Sequence, residues 1–71
     1  MPEIEIYLYS NHKTYNIQAE TTWEILCYFK KELDFHFRYH TIEVWHQNKI
    51  VGFDEKLVEG KYAVSIVHSK H

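Results

Sequence analysis

Residues 3–18, EIEIYLYSNHKTYNIQ, decide the fold. Apolar and polar side chains alternate over residues 3–9, which places three apolar side chains on one face of a half-buried strand: Ile4, Ile6 and Leu8. A polar turn at residues 10–13 comes next, and the alternation resumes over residues 14–18 with Tyr15 and Ile17 turned inward. Two alternating runs joined by such a turn predict a β-hairpin.

A helix is predicted to follow the hairpin. Thr21 and Glu24 have the spacing of a capping box, in which each side chain bonds the backbone N–H of the other residue. Apolar residues then recur on one side of the helix, with Trp23 and Cys27 flanking that side. The members of this apolar side are Ile25, Leu26, Phe29 and Leu33. The helix is expected to end near Leu33 or Asp34.

The second half of the chain predicts three more strands. Residues 41–46 alternate with Ile42 and Val44 inward, residues 47–49 turn the chain, and residues 50–51 form a short strand. Residues 53–59 predict a loop with a helical turn, anchored by Leu57. Residues 62–67 predict a final strand whose inward side chains are Val64 and Ile66.

This order of elements predicts a single α+β domain over residues 1–71. The helical connection returns the chain to the same sheet, so the last strand can lie parallel beside the first. One helix then covers one face of a mixed four- to five-stranded sheet, which is the β-grasp architecture.

Composition limits the classes of function. With 45% apolar and 17% aromatic residues, a chain of 71 residues can form one small core. A net charge of −2 disfavours DNA as a partner. The single cysteine, Cys27, favours a reducing compartment, and we expect a cytoplasmic protein. Neither a signal peptide nor a run long enough to span a membrane is visible, so no membrane association is expected.

Over its whole length the sequence resembles the ubiquitin-like superfamily. Residues 22–24 (TWE) and 44–49 (VWHQNK) are similar to the helix start and the turn before the short strand in ubiquitin. Residues 47–51 (QNKIV) and 57–67 (LVEGKYAVSIV) resemble the corresponding runs of the sulfur carriers of thiamine and molybdopterin synthesis and of TGS domains. The resemblance implies the β-grasp fold and three classes of function.

Two of these classes are alternatives to a protein-binding module. A sulfur carrier ends in Gly-Gly, because glycine has no side chain to clash in the adenylating site; here residues 68–71 are HSKH, so only an atypical carrier is expected. An RNA-associated, TGS-like module would stack bases on residues 35–39, FHFRY. The net negative charge weighs against RNA.

Other chemistry-bearing residues favour structural roles. His36 and His40 have the spacing of two metal ligands on a helix, but no acidic third ligand is nearby. Cys27 lacks a visible oxyanion device, and a packed, inert thiol is the commoner situation. We therefore expect no enzyme activity, no catalytic residue, no cofactor and no metal.

The remaining hypothesis concerns the sheet face away from the helix. Its outward side chains are aromatic or apolar where no second layer is expected to cover them. The sequence predicts a partner protein anchored on Trp45. Around this anchor lie Tyr7, Tyr9 and Val67, and at the rim of the face lie Lys49 and His68. The alternative interpretation is that these residues only pack across strands. The same features leave self-association open, either through this face or through an unpaired strand edge.

Overall fold

The structure, a computed structural model, describes residues 1–33 and 40–68. Its elements are β1 (Glu3–Leu8), β2 (Lys13–Gln18), α1 (Thr22–Glu32), β3 (His40–His46), β4 (Lys49–Ile50) and β5 (Gly60–His68). The strands form one mixed sheet of five strands in the order β2-β1-β5-β3-β4. The predicted α+β class, with one helix and a mixed sheet, is confirmed. No helix among the described residues combines the length and the apolar character needed to cross a bilayer.

The last described strand lies at the centre of the sheet. β5 pairs in parallel with β1 and antiparallel with β3, while β1 and β2 form the antiparallel hairpin that residues 3–18 predict. Val64 lies between Leu8 on one side and Val44 on the other. The predicted parallel pairing of the first and last strands is therefore confirmed.

The core forms between α1 and one face of the sheet. The predicted inward residues of β1 and β3 are at most 3% exposed, and Val64, Leu57 and the helical Phe29 are buried with them. Tyr15 packs its ring edge-on against Phe29, with the ring centroids 5.2 Å apart. Tyr15 and Ile17 are only partly buried because β2 is an edge strand.

Tyr62 is a core residue that the sequence analysis did not place inside. Its ring is 4% exposed. Its hydroxyl donates to the carbonyl of Val58 at 2.7 Å and accepts from the N–H of the same residue at 3.0 Å. This pair of hydrogen bonds lets a tyrosine be buried without leaving its polar atom unpaired.

One local prediction is wrong, and a second is confirmed only in part. Thr21 does precede α1, but its side chain makes no capping hydrogen bond. Its backbone is extended and bridges Lys56, and its carbonyl already accepts the N–H of Glu24 at 3.1 Å, so the reciprocal capping box does not form. Residues 53–59 form a loop without a helix, and its one hydrogen-bonded turn joins the Glu55 N–H to the Gly52 carbonyl at 3.3 Å. The loop is held by the Thr21–Lys56 bridge and by the Leu57 N–H, which donates to the carbonyl of Glu20 at 2.8 Å.

The turns explain two strand boundaries. Gln47 and Asn48 have φ values of 52° and 65°, the left-handed conformation of a two-residue hairpin turn, so β4 begins at Lys49. His12 has φ 58°, and its N–H donates to the carbonyl of Leu8 at 2.9 Å, which ends β1 at Leu8. The helix ends as predicted, with the Leu33 N–H bonded to Phe29.

Tyr28 gives the fold a predicted dependence on alkaline pH. Burial, then the charge of Glu32, then Tyr15, raise the pKa of its phenol above 10.0. Folded protein therefore keeps this proton where unfolded chain has lost it, so stability falls as the pH rises past 10.0. We expect Tyr28→Phe to lose less stability than the parent in that range, measured as urea midpoints at neutral and alkaline pH. A midpoint difference between the two proteins that does not change with pH would contradict this.

Candidate protein-binding face

The side of the sheet opposite α1, here called the outer face, carries most of the predicted partner-binding residues. Trp45 and Tyr7 both lie directly opposite Ala63, one from each side, so the three form a row across β3, β5 and β1. Glu43 lies opposite Ser65 in the next row. The two large aromatic side chains are thus separated by a small residue of the central strand.

This spacing produces a groove. A depression of about 550 Å³ has Ala63 and Ser65 at its floor and is bordered by Tyr9, Trp45 and Glu43, with Lys61 at one end. Small side chains on the floor keep the groove open, whereas the aromatic walls offer flat apolar area at little cost in rotamer entropy. A groove of this composition can receive an apolar side chain and hydrogen-bond its backbone at the rim.

Tyr9 forms one wall of the groove, and Tyr7 packs against it. Their rings meet edge to face with centroids 5.2 Å apart. The Tyr7 hydroxyl is hydrogen-bonded to Nδ1 of His12 at 2.7 Å, and the N–H of Tyr9 donates to Val64 at 3.1 Å. The hairpin turn and the central strand therefore both fix this wall.

The exposure of these residues differs from the sequence-based expectation. Tyr9 is 52% exposed, but Tyr7, Trp45 and Val67 are only half-buried rather than standing free in water. For Tyr7, the edge-to-face contact with Tyr9 covers part of the ring. Partial burial leaves each of them less apolar area to offer a partner, but it also means that less rotamer freedom is lost on binding.

Lys49 and His68 do not share the outer face. The register places Lys49 opposite His46 and His68 opposite His40, and these positions alternate with those of the outer face. The rings of His40 and His68 contact each other on the helix side, with centroids 4.5 Å apart. The alternation that places Trp45 outward also predicts these inward positions.

Ile50 belongs to the outer face and was missed by the sequence analysis. It is 56% exposed and lies directly opposite Trp45. The signal that identifies it is the two-residue turn at Gln47 and Asn48, because a turn of that length makes Trp45 and Ile50 partners. With a three-residue turn at 47–49, as predicted from the sequence, this register is lost.

Charge on the outer face is mainly acidic. Glu3 and Glu5 lie on β1 and Glu43 on β3, whereas Lys61 is the basic residue of the facing strand. Nζ of Lys61 is 4.0 Å from Oε2 of Glu5, and the side chains are 86% and 44% exposed, so the pair contributes little to stability. Of the charged residues that line the groove, Glu43 is acidic and Lys61 is basic, so a basic side chain of a partner can pair with Glu43.

Among the described residues, the other candidates named from the sequence do not form a second site. Within residues 1–33 and 40–68, no three His, Cys, Asp or Glu side chains are grouped to hold a metal ion. His46 is stacked on Tyr62 and its Nδ1 donates to the carbonyl of Lys61 at 2.9 Å. Cys27 is an exposed thiol, not a packed one as predicted. His36 and the aromatic run at 35–39 lie outside the described residues, as does the end of the chain at 69–71.

Comparison with known proteins supplies no family for this chain. No protein-family model matches the sequence. A search against curated proteins also gave no match.

Proposed function

We propose that this chain is a non-catalytic, ubiquitin-like β-grasp module that binds a partner protein through its outer face. The arrangement of hairpin, helix, and a last strand parallel to the first supports the β-grasp assignment. The observation that carries the binding proposal is the groove itself, where Ala63 and Ser65 separate the Tyr9 side from Trp45. A cytoplasmic location accords with the unpaired, exposed thiol of Cys27.

The chemistry of the groove favours one kind of partner. Its floor and walls suit an apolar or aromatic side chain, and Glu43 at its border suits lysine or arginine beside that side chain. The partner is therefore a segment with one apolar anchor flanked by basic residues. Lys61 at the end of the groove is placed to meet an acidic group or a backbone carbonyl of the same segment.

Trp45→Ala tests the anchor. Peptides selected from a random displayed library on the immobilised protein should combine an apolar side chain with lysine or arginine. Trp45→Ala should weaken their binding by about 30-fold, because truncating a central interface tryptophan costs about 2 kcal/mol or more. Isothermal titration of the selected peptides measures this change, with thermal denaturation to verify that the variant is folded.

Trp23→Ala is the matched control. Trp23 is 56% exposed on α1, on the other side of the sheet, so its removal should leave peptide affinity unchanged. Glu43→Lys should weaken basic peptides while leaving the aromatic walls in place. If the selected peptides bind Trp45→Ala as tightly as the parent, or if Trp23→Ala abolishes binding instead, the outer face is not the binding site.

A further inference from the structure

The outer edge of β2 has the features of a pairing surface. β2 is the terminal strand of the sheet, and no described residue pairs with its second edge. The N–H of Ala19 donates to the carbonyl of Pro2 at 3.2 Å, which continues the register of Ile4 with Ile17 and Ile6 with Tyr15. Because bonded and non-bonded pairs alternate in an antiparallel ladder, the even-numbered residues of β2 direct their N–H and C=O groups away from β1.

This edge lacks the devices that keep edge strands apart. Residues 13–18 contain no proline, and they pair with β1 in an unbroken register without a bulge. Their single charged side chain, Lys13, lies at one end. Proline, bulges and central charges are the usual protections of an exposed edge, so a strand without them is a template for another strand.

We propose that β2 pairs antiparallel with β2 of a second copy about a two-fold axis at Asn16. In this register Asn16 lies opposite Asn16 of the second copy, and Thr14 opposite Gln18. The outward N–H and C=O groups of all three residues are then paired. A shift by two residues in either direction leaves some of them unpaired.

Side chains on the helix side complement one another in the same register. Tyr15 of each copy lies opposite Ile17 of the other, and both residues are half-buried. These are non-hydrogen-bonded positions, where side chains across the strands are closest. Pairing therefore covers apolar area that the edge position of β2 leaves accessible to water.

Self-complementarity favours a second copy over a strand of another protein. In this register Lys13 of each copy lies opposite Ala19 of the other, and Glu20 lies opposite His12. No like charges therefore oppose one another along the paired segments. α1 leaves this edge accessible, because none of its Cα atoms lies within 8 Å of a Cα atom of β2. The helix comes close to β3 instead.

Charge substitution at Asn16 tests the axis. Sedimentation up to millimolar concentration should show a reversible dimer of the parent protein. Asn16→Lys alone, and Asn16→Asp alone, should each weaken dimerisation about fivefold, because like charges would lie directly opposite each other. An equimolar mixture of the two variants should regain the affinity of the parent. Thr14→Lys, which meets Gln18 rather than itself, is the matched control and should dimerise like the parent.

Cysteine cross-linking tests the register independently. In a Cys27→Ser background, Asn16→Cys should form an intermolecular disulfide, since Cα atoms of such a pair lie about 5.5 Å apart. Thr14→Cys should not, because its two copies would be about 14 Å apart along the strands. A parent that stays monomeric throughout the series overturns the proposal. So does a dimer that Asn16→Lys leaves intact or that Trp45→Ala dissociates, since the interface would then lie elsewhere.

Discussion

Phe29→Ala is expected to destabilise the protein by about 3–5 kcal/mol, as deletion of a fully buried phenylalanine does in other cores. Phe29 is 0% exposed, and its ring meets the edges of Tyr15 and Tyr28 at centroid distances of 5.2 and 5.3 Å. Its removal leaves a cavity between α1 and the sheet. A domain of this size has a total stability of about 4–10 kcal/mol, so the variant should lose a large part of it.

Trp23→Ala is the control for this experiment as well. Trp23 lies on the same helix and loses more atoms, yet it is 56% exposed and its ring meets only the edge of Phe53 among the ring contacts of the described residues. We expect a cost below about 1 kcal/mol, as for other partly exposed pairs. Chemical denaturation followed by far-UV circular dichroism measures both variants. Equal losses for the two would mean that burial on α1 does not determine stability.

Val64→Asp is expected to unfold the protein at neutral pH. Val64 is 0% exposed at the centre of the sheet, between Leu8 and Val44. A carboxyl group there stays protonated, and keeping it protonated at pH 7 costs about 4 kcal/mol relative to its ordinary pKa. The lost burial of the valine side chain adds about 1.5 kcal/mol or more.

The sign of the pH dependence distinguishes this mechanism from a simple packing defect. Burial raises the pKa of the introduced carboxyl in the folded state, so folded protein binds more protons than unfolded chain above about pH 4. Stability should therefore recover as the pH falls toward that value. Val67→Asp, a half-buried position of the same strand opposite Thr41, should cost far less. If Val64→Asp is no more stable at acidic pH than at neutral pH, the carboxyl is not buried.

Alternation in the sequence predicts most of the sheet because each strand has one buried face. Only a strand with one apolar side can bury Ile4, Ile6 and Leu8 together, and Ile42 and Val44 repeat the pattern. The same argument identifies Trp45 and Tyr7 as outward residues. The capping box predicted at Thr21 from local sequence is wrong because the backbone of Thr21 is held by Lys56, a residue distant in sequence.

Details of the candidate site depended on facts that pattern alone does not contain. Lys49 and Ile50 exchange faces if the preceding turn changes by one residue, and the sequence run QNK is compatible with either length. The groove itself depends on the parallel register that places Ala63 beside Tyr7. Registers between strands distant in sequence are set by the packing of the whole core, so a single-sequence pattern cannot fix them.

Dimerisation through β2 would change how the outer face works. A two-fold axis at Asn16 runs perpendicular to the sheet, so both outer faces lie on the same side of the dimer. A partner with two basic, apolar segments could then engage two grooves at once. Its overall affinity would exceed that of a single groove by the effective concentration of the second segment.

The central position of β5 also has a consequence for synthesis. β1, β2 and α1 leave the ribosome first, but the two halves of the sheet are joined only through residues 60–68. Until that segment emerges, β1 and β3 each have an unpaired edge and an uncovered apolar face, the condition in which nascent chains recruit chaperones or aggregate. Folding of this domain is therefore expected to wait for its last strand, and truncation before Gly60 should yield no partially folded product.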